Sequence, residues 1–238
     1  MRRFAELAVE STPMGELVLR RRHDPVIDAE VYEVKLGDEF LMSSLFTVAE
    51  EELARLGLAA VHGDGPLDVV VGGLGLGYTA VTVLDDARIH SLVVIDALRP
   101  VIDWHERRLL PVSDRLASDS RTRLVAADFF AWARGDQPDG TPREPVDAIL
   151  LDVDHTPQHT LDASHADLYT VAGFRRLAER LRPGGVFALW SDERPHAGTL
   201  SDLEAAFDDV AGHTVAFANP LTEGESVNGV YVGRARRP

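Results

Sequence analysis

The run Val69-Val70-Val71-Gly72-Gly73-Leu74-Gly75-Leu76-Gly77 decides how this chain is read. Three β-branched residues in succession suit a strand covered on both faces, and they pass without a break into a glycine-rich turn. Glycines are wanted at such a turn because the backbone must adopt conformations closed to other residues and let a ligand approach with no Cβ in the way. A helix is expected directly after it, from Tyr78. A tight turn with no ligand would carry the same glycines, so residues elsewhere must decide between the two.

The first of these is Asp96, at the end of the next apolar run and about twenty residues further on. There a carboxylate, with Ala97 beside it, is placed to receive both hydroxyls of a ribose. Asp128 ends the third run, Val125-Ala126-Ala127-Asp128-Phe129, where it can accept from an adenine amino group with Phe129 beside the ring. The N-cap of the following short helix explains Asp128 equally well. The stretch also fits Gly75-x-Gly77-x-x-Ala80, a form of the nicotinamide dinucleotide fingerprint, so the glycines alone leave the cofactor open.

Outward from this centre, short apolar strands alternate with amphipathic helices, the signature of a parallel sheet covered on both faces. Strands are expected at 68–71, 91–95, 122–125, 148–152, 186–190, 214–218 and 229–233, the last two as a hairpin. Helices are expected at 78–84, 101–109, 129–133, 169–181 and 200–208. Seven strands suit a nucleoside-binding transferase sheet better than a six-stranded dinucleotide fold. Upstream, Leu7-Ala8-Val9, Leu17-Val18-Leu19, Val31-Tyr32-Glu33-Val34 and Phe40-Leu41-Met42 alternate around turn residues and predict a small antiparallel sheet. Thr47-Val48-Ala49-Glu50 reads as a capping box at a helix start. Gly63-Asp64-Gly65-Pro66 marks a seam, giving an N-terminal β element with its linking helix at 1–62 and a catalytic unit at 63–238. Residues 135–145 read as an exposed loop.

The 238 residues carry a formal charge of −15, which repels nucleic-acid phosphates and anionic lipid alike. The basic run Arg20-Arg21-Arg22 reads as a solvated strand end. With no cysteine, disulfides, thiolate nucleophiles and sulfur-ligated metals drop out, and the chemistry must come from oxygen and nitrogen groups. Neither the start, Met1-Arg2-Arg3-Phe4, nor any later stretch has the apolar run of a leader or membrane span, so a soluble cytoplasmic protein is expected. Nucleic acid and membrane are not expected partners; a small-molecule substrate is.

Taken together, the glycine loop, Asp96, Asp128, Ile149-Leu150-Leu151-Asp152 and Leu181-Arg182-Pro183-Gly184-Gly185 resemble class I S-adenosylmethionine-dependent methyltransferases. The N-terminal strands, Arg99-Pro100-Val101-Ile102, Leu110-Pro111 and Asp152-x-x-His155-x-Pro157 resemble the spermidine synthase branch, the polyamine aminopropyltransferases. That resemblance implies an α/β, Rossmann-like seven-stranded fold with a small N-terminal antiparallel element, and S-adenosylmethionine or its decarboxylated form as cofactor. It implies that Gly73, Gly75 and Gly77 face the cofactor, that Asp96 holds the ribose and Asp128 the adenine, and that Asp152 sits where the transferred group meets its acceptor. It also implies a homodimer through the N-terminal strands. The chain departs from the family pattern at Leu76, where an acid normally holds the amine of the decarboxylated cofactor, and at Leu41 or Met42, where a glutamine is expected. The loss of the acid favours methyl transfer to a small, amine-containing acceptor over aminopropyl transfer to a polyamine. A non-catalytic nucleoside-binding relative and an NAD-dependent oxidoreductase remain as alternatives.

Group transfer from a sulfonium is an in-line displacement, for which a protein aligns the acceptor and removes its proton. Asp152, Asp154 and His155 bring two carboxylates and an imidazole within one turn. Asp152 is expected to position the acceptor, and Asp154 or His155 to take the proton. Tyr169 falls where spermidine synthases place an aromatic near the acceptor, with core packing as its other explanation. His159, Asp162 and His165 could hold a metal, but their spacing matches no closed zinc pattern and no metal is expected. Asp192 and Glu193 follow the fifth strand, as receivers of a cationic acceptor or as solvated loop acids.

Overall fold

The alternating pattern near the N-terminus folds as four antiparallel strands, β1 (Phe4–Thr12), β2 (Gly15–Asp24), β3 (Ala29–Leu36) and β4 (Glu39–Ser43), paired in that order. The structure, a computed structural model, describes residues 4–237; Met1 to Arg3, which open the N-terminal stretch read above, and Pro238 lie outside them. Arg20 and Arg22 are not a solvated end. Two residues apart on β2, they share a face and both reach Glu33 of β3, at 2.6 and 2.7 Å, and Glu33 is only 3 % exposed. Two guanidiniums make its burial tolerable.

Helix α1 (Val48–Ala59) then crosses to the main sheet. The sheet is built from β5 (Leu67–Gly72), β6 (Ile89–Asp96), β7 (Thr122–Ala126), β8 (Val146–Leu151), β9 (Leu181–Ser191), β10 (Asp208–Asn219) and β11 (Gly224–Arg234). Their order is β10-β11-β9-β8-β5-β6-β7, parallel from β9 to β7 and antiparallel at the β11 and β10 end. The apolar runs are continuous because both faces are covered. Val69 and Val71 join one core beneath α1, α2 (Tyr78–Val83) and α3 (Arg99–Glu106), while Val70 joins another beneath α5 (Phe129–Arg134), α6 (Val171–Ala178) and α7 (Ala197–Glu204). Leu17, Leu19 and Val34 of the N-terminal sheet belong to the first core together with Leu74 and Leu76, so this sheet sits over the glycine loop.

The expected elements form, with differences; the helix expected at 101–109 is α3, which starts two residues and ends three residues earlier. The helix expected at 169–181 is α6 alone, because Thr170 caps it by accepting from the Gly173 amide, and Leu181 already pairs with Val146 as the start of β9. The helix expected at 200–208 starts and ends earlier, at Ala197 and Glu204, and β10 begins at Asp208. A short helix, α4 (Ser113–Ser118), has too little periodicity to be seen in sequence. The capping box at Thr47 does not form: the Thr47 hydroxyl donates to Glu51 at 3.0 Å and makes no cap bond, leaving Glu50 to point elsewhere.

Gly57 lets α1 lie close on the sheet. A Cβ there would meet Leu150 Cδ2 at 2.5 Å and Ala188 Cβ at 3.2 Å. Gly57→Val therefore forces α1 off β8 and β9 and is expected to cost about 1–3 kcal/mol. Thermal unfolding of the variant should show a Tm several degrees lower; an unchanged Tm would mean that α1 is not held against the sheet.

Candidate active site at the carboxyl edge of the sheet

The chain leaves β5 toward β6 on one side and pairs with β8 on the other, so a crevice opens at the strand ends where the connections part, the usual ligand position in such sheets. The glycine loop fills its base. Gly73 has φ +91°, and a Cβ on it would lie 2.0 Å from the Asp152 carbonyl oxygen, so no other residue fits between the ends of β5 and β8. The Gly73 amide donates to Ile95 O at 2.9 Å and the Asp152 amide to Gly72 O at 2.8 Å, tying the loop to both neighbouring strands. Behind it, the fully buried His105 donates from Nε2 to Gly75 O at 3.0 Å and accepts at Nδ1 from the Ser113 hydroxyl at 3.1 Å, and burial holds its pKa below the ordinary value.

A cavity of about 770 Å³ runs from this loop beneath the N-terminal sheet. Gly73, Gly75, Gly77, Asp96, Ala97, Asp128 and Phe129 all line it. Asp96 accepts from the Leu74 amide at 2.8 Å and the Leu98 amide at 2.7 Å, one on each oxygen, so it shapes the loop and keeps lone pairs for a ligand. Burial pushes its carboxyl up, against the pull of those amides. Asp128 caps α5 by accepting from the Phe130 amide at 2.7 Å while its side chain faces the cavity; cap and ligand contact are compatible.

The other end of the cavity is acidic. Asp152, His155 and Asp192 line it, as does Glu50, which the sequence had assigned to a helix cap. Asp152 Oδ2 accepts from the Thr79 hydroxyl at 2.7 Å. His155 Nε2 meets Glu39 of β4 at 3.0 Å, tying the loop after β8 to the N-terminal sheet. Burial, then the Asp152 charge beside it, push Glu50 up to about 8, and burial pushes Asp152 up to about 6. The Thr-x-x-Glu spacing assigned Glu50 to the helix cap, but Thr47 bonds Glu51 instead, so the place of Glu50 in the cavity was hidden until the helix was placed.

Asp154 and Tyr169 are corrections. Asp154 is 2 % exposed and is consumed by the loop itself, accepting from Tyr169 Oη at 2.7 Å, from His165 Nδ1 at 2.9 Å and from the Leu161 amide at 2.7 Å. Both side chains face the core and not the cavity, and burial with the Asp154 charge raises the Tyr169 phenol well above its usual range. His165 stacks on Phe130 at 3.6 Å between centroids, and His159 lies 5.1 Å from His155. Among the described residues no three His, Asp or Glu side chains are arranged to hold a metal ion. Asp192 accepts from the Asn228 amide group at 3.0 Å, while Glu193 is exposed.

A parallel sheet with this order, closed by an antiparallel hairpin and carrying acids after its second and third strands, is the class I methyltransferase-like fold, not the six-stranded dinucleotide fold. No protein-family model matches the chain. It is 31 % identical over 156 residues to polyamine aminopropyltransferase 2 of Pseudomonas aeruginosa, a match over 62 % of this chain and 41 % of that protein, so it spans about two fifths of that relative's length. The spermidine synthase of Thermotoga maritima superposes with a TM-score of 0.72 at 15 % identity, over 98 % of this chain and 74 % of its own. A spermidine synthase bound to the transition-state analogue AdoDATO gives 0.71 at 14 %, over 98 % and 73 %. A probable spermidine synthase from Corynebacterium glutamicum gives 0.63 at 16 %, over 97 % and 79 %. The chain is thus similar in sequence, over part of its length, to a polyamine aminopropyltransferase, and in fold to spermidine synthases. No helix of the described residues is long and apolar enough to cross a membrane.

The raised acids make stability depend on pH. The folded chain keeps protons on Glu50 and Asp152 that the unfolded chain has already lost, so it binds more protons from about pH 4.5 up to about 8. Their contribution is complete at low pH and is lost as the pH rises through that window. Glu50→Gln should therefore lose less Tm than the parent between about pH 5 and about pH 8.5. Parallel Tm profiles would show that Glu50 is not held protonated by the fold.

Proposed function

We propose that this chain is a transferase that moves an aminopropyl group from decarboxylated S-adenosylmethionine to an amine nitrogen of a small acceptor. One observation carries the choice of donor: no arginine or lysine among the described residues lines the cavity, while Glu50, Asp96, Asp128, Asp152, Asp162 and Asp192 do. The carboxylate of S-adenosylmethionine would meet only like charge there, whereas the decarboxylated form presents a sulfonium and an ammonium. The names of the relatives point the same way, and aminopropyl transfer replaces the methyl transfer inferred from Leu76.

The residues fit such a donor. Asp96 keeps lone pairs for the ribose beside Ala97, Asp128 and Phe129 lie at the adenine end, and the glycine loop brings bare backbone to the wall. The acceptor nitrogen displaces the sulfur in line: a C–N bond forms, the C–S bond breaks with its electrons left on sulfur, and methylthioadenosine departs as a neutral thioether. Asp152 aligns the acceptor nitrogen. With Asp154 turned into the core, His155 is the group on this loop that takes the proton, its Nε2 held by Glu39.

Calorimetric titration with decarboxylated and intact S-adenosylmethionine at one pH should show the decarboxylated form binding at least about tenfold tighter. Incubated with a panel of di- and polyamines, the enzyme should release methylthioadenosine. Tighter binding of intact S-adenosylmethionine, or a methylated product, would restore methyl transfer and overturn the proposal. In the same assays, Asp96→Ala should abolish nucleoside binding, and Asp152→Ala should keep it while removing turnover. Equal loss of binding in both would sink this division of roles.

A further inference from the structure

The nearly inaccessible carboxylates among the described residues are all satisfied, and the half-buried pair Glu50 and Asp152 is not matched in the same way. Asp24, Glu33 and Asp154 are 2 to 3 % exposed, and each is held by arginine or by tyrosine, histidine and amide donors. At the acidic end of the cavity the pattern fails. No side chain of the described residues donates a hydrogen bond to the Glu50 carboxyl, and Asp152 receives only the Thr79 hydroxyl, on Oδ2, which leaves Oδ1 without a donor. The titratable groups facing Glu50 are Asp152 after β8, Asp192 after β9, Glu51 on its own helix and the Tyr78 phenol on α2. None of them is a cation.

We propose that Glu50 and Asp152 form one ammonium-binding unit, in which Glu50 is the specificity-determining residue, and that the unit gives up a shared proton when a primary ammonium enters the cavity. The inference rests on the cavity taking an amine substrate, as proposed above, and assigns a residue and a protonation change to that step. Two half-buried carboxyls lining one cavity, with no cation facing them, resist ionising together, because the second charge adds like-charge repulsion to lost solvation. They share one proton near neutral pH. An ammonium placed between them supplies the missing counter-ion: the proton leaves to solvent, the pair becomes a dianion, and the amine keeps its own proton because its pKa is near that of lysine, about 10. A neutral ligand of the same shape gives no such gain. Leu76, buried on the glycine loop, presents an apolar side chain to the cavity, and Glu50 reaches the cavity from α1.

The test uses 1,4-diaminobutane as probe and 1,4-butanediol as its uncharged counterpart, with methylthioadenosine titrated separately on the same protein. Titrations near neutral pH in two buffers of different ionisation enthalpy should show between about half and one proton released per amine bound, and apparent affinity should rise on the order of tenfold from about pH 6.5 to about pH 8. The diol should not bind. Glu50→Gln, isosteric and with a Tm no lower than the parent at the higher pH, should bind the amine at least about tenfold more weakly at about pH 8 and release no proton. Amine binding without proton release, a flat pH profile, or the same profile in Glu50→Gln would overturn the inference, as would no amine binding at all. Methylthioadenosine binding separates the two levels: if it persists while the amine fails, the ammonium unit is wrong and the nucleoside pocket stands; if both fail, the reading of the cavity falls with it.

Discussion

The close approach of the Gly73 backbone to the Asp152 carbonyl is the constraint on which the rest depends. With 2.0 Å between an added Cβ and that oxygen, the ends of β5 and β8 pack backbone to backbone. That contact sets the width of the crevice and brings the glycine loop and the loop after β8 to one place. It also fixes Asp152, whose amide is pinned to Gly72 and whose carboxylate is pinned to Thr79 at the start of α2. A side chain at position 73 would separate the two loops and break up the candidate site between them.

Around this contact, buried polar bonds convert loops into walls. Asp154 gathers Tyr169, His165 and the Leu161 amide, so the segment after β8 is held from within by charge-assisted bonds and can present Asp152 and His155 outward. His105 does the same for the glycine loop from behind, through Gly75 O and Ser113. The N-terminal sheet adds the roof, fastened at one point by Glu39 to His155 and along its length by Leu17 and Val34 against the core. Asp154 and Tyr169, expected near an acceptor, instead brace the segment that presents Asp152 and His155 to the cavity.

The fold was legible because its signals are local or periodic. Val69 to Val71 leading into glycines, the acids at 96 and 128, and a hairpin after the fifth helix each announce themselves within a few residues, and the two covered faces follow from continuous apolar runs. That the glycine loop, Asp96 and Asp128 meet at one end of the cavity was legible for the same reason, since each stands at the end of a strand. The acceptor end was not. Whether Asp152 or Asp154 faces the cavity depends on how a loop without periodicity closes on itself, and Tyr169 decides it from fifteen residues away. Glu50 was concealed by a competing local explanation: a threonine three residues before it predicts a capping box, and only the position of α1 over β8 and β9 turns the side chain to Asp152 instead. Local rules assign a residue to the nearest partner, and tertiary contact can override them.

The acids also oppose one another, and their arrangement shows where the opposition is tolerated. A chain of net charge −15 gains little by bringing Glu50 and Asp152 together beside the exposed Asp192, because each added like charge raises the cost of the next. On the N-terminal sheet the same problem is solved with Arg20 and Arg22 around Glu33, and at the base of β5 with Arg182 between Asp68 and Asp147. Arginine was therefore available to neutralise acids in this molecule, and it is absent from the cavity lining among the described residues. A structural acid cluster would lose nothing by acquiring an arginine and would gain stability. A cluster kept to receive a cation would be blocked by one, and the instability of the empty cluster becomes binding energy when the cation arrives.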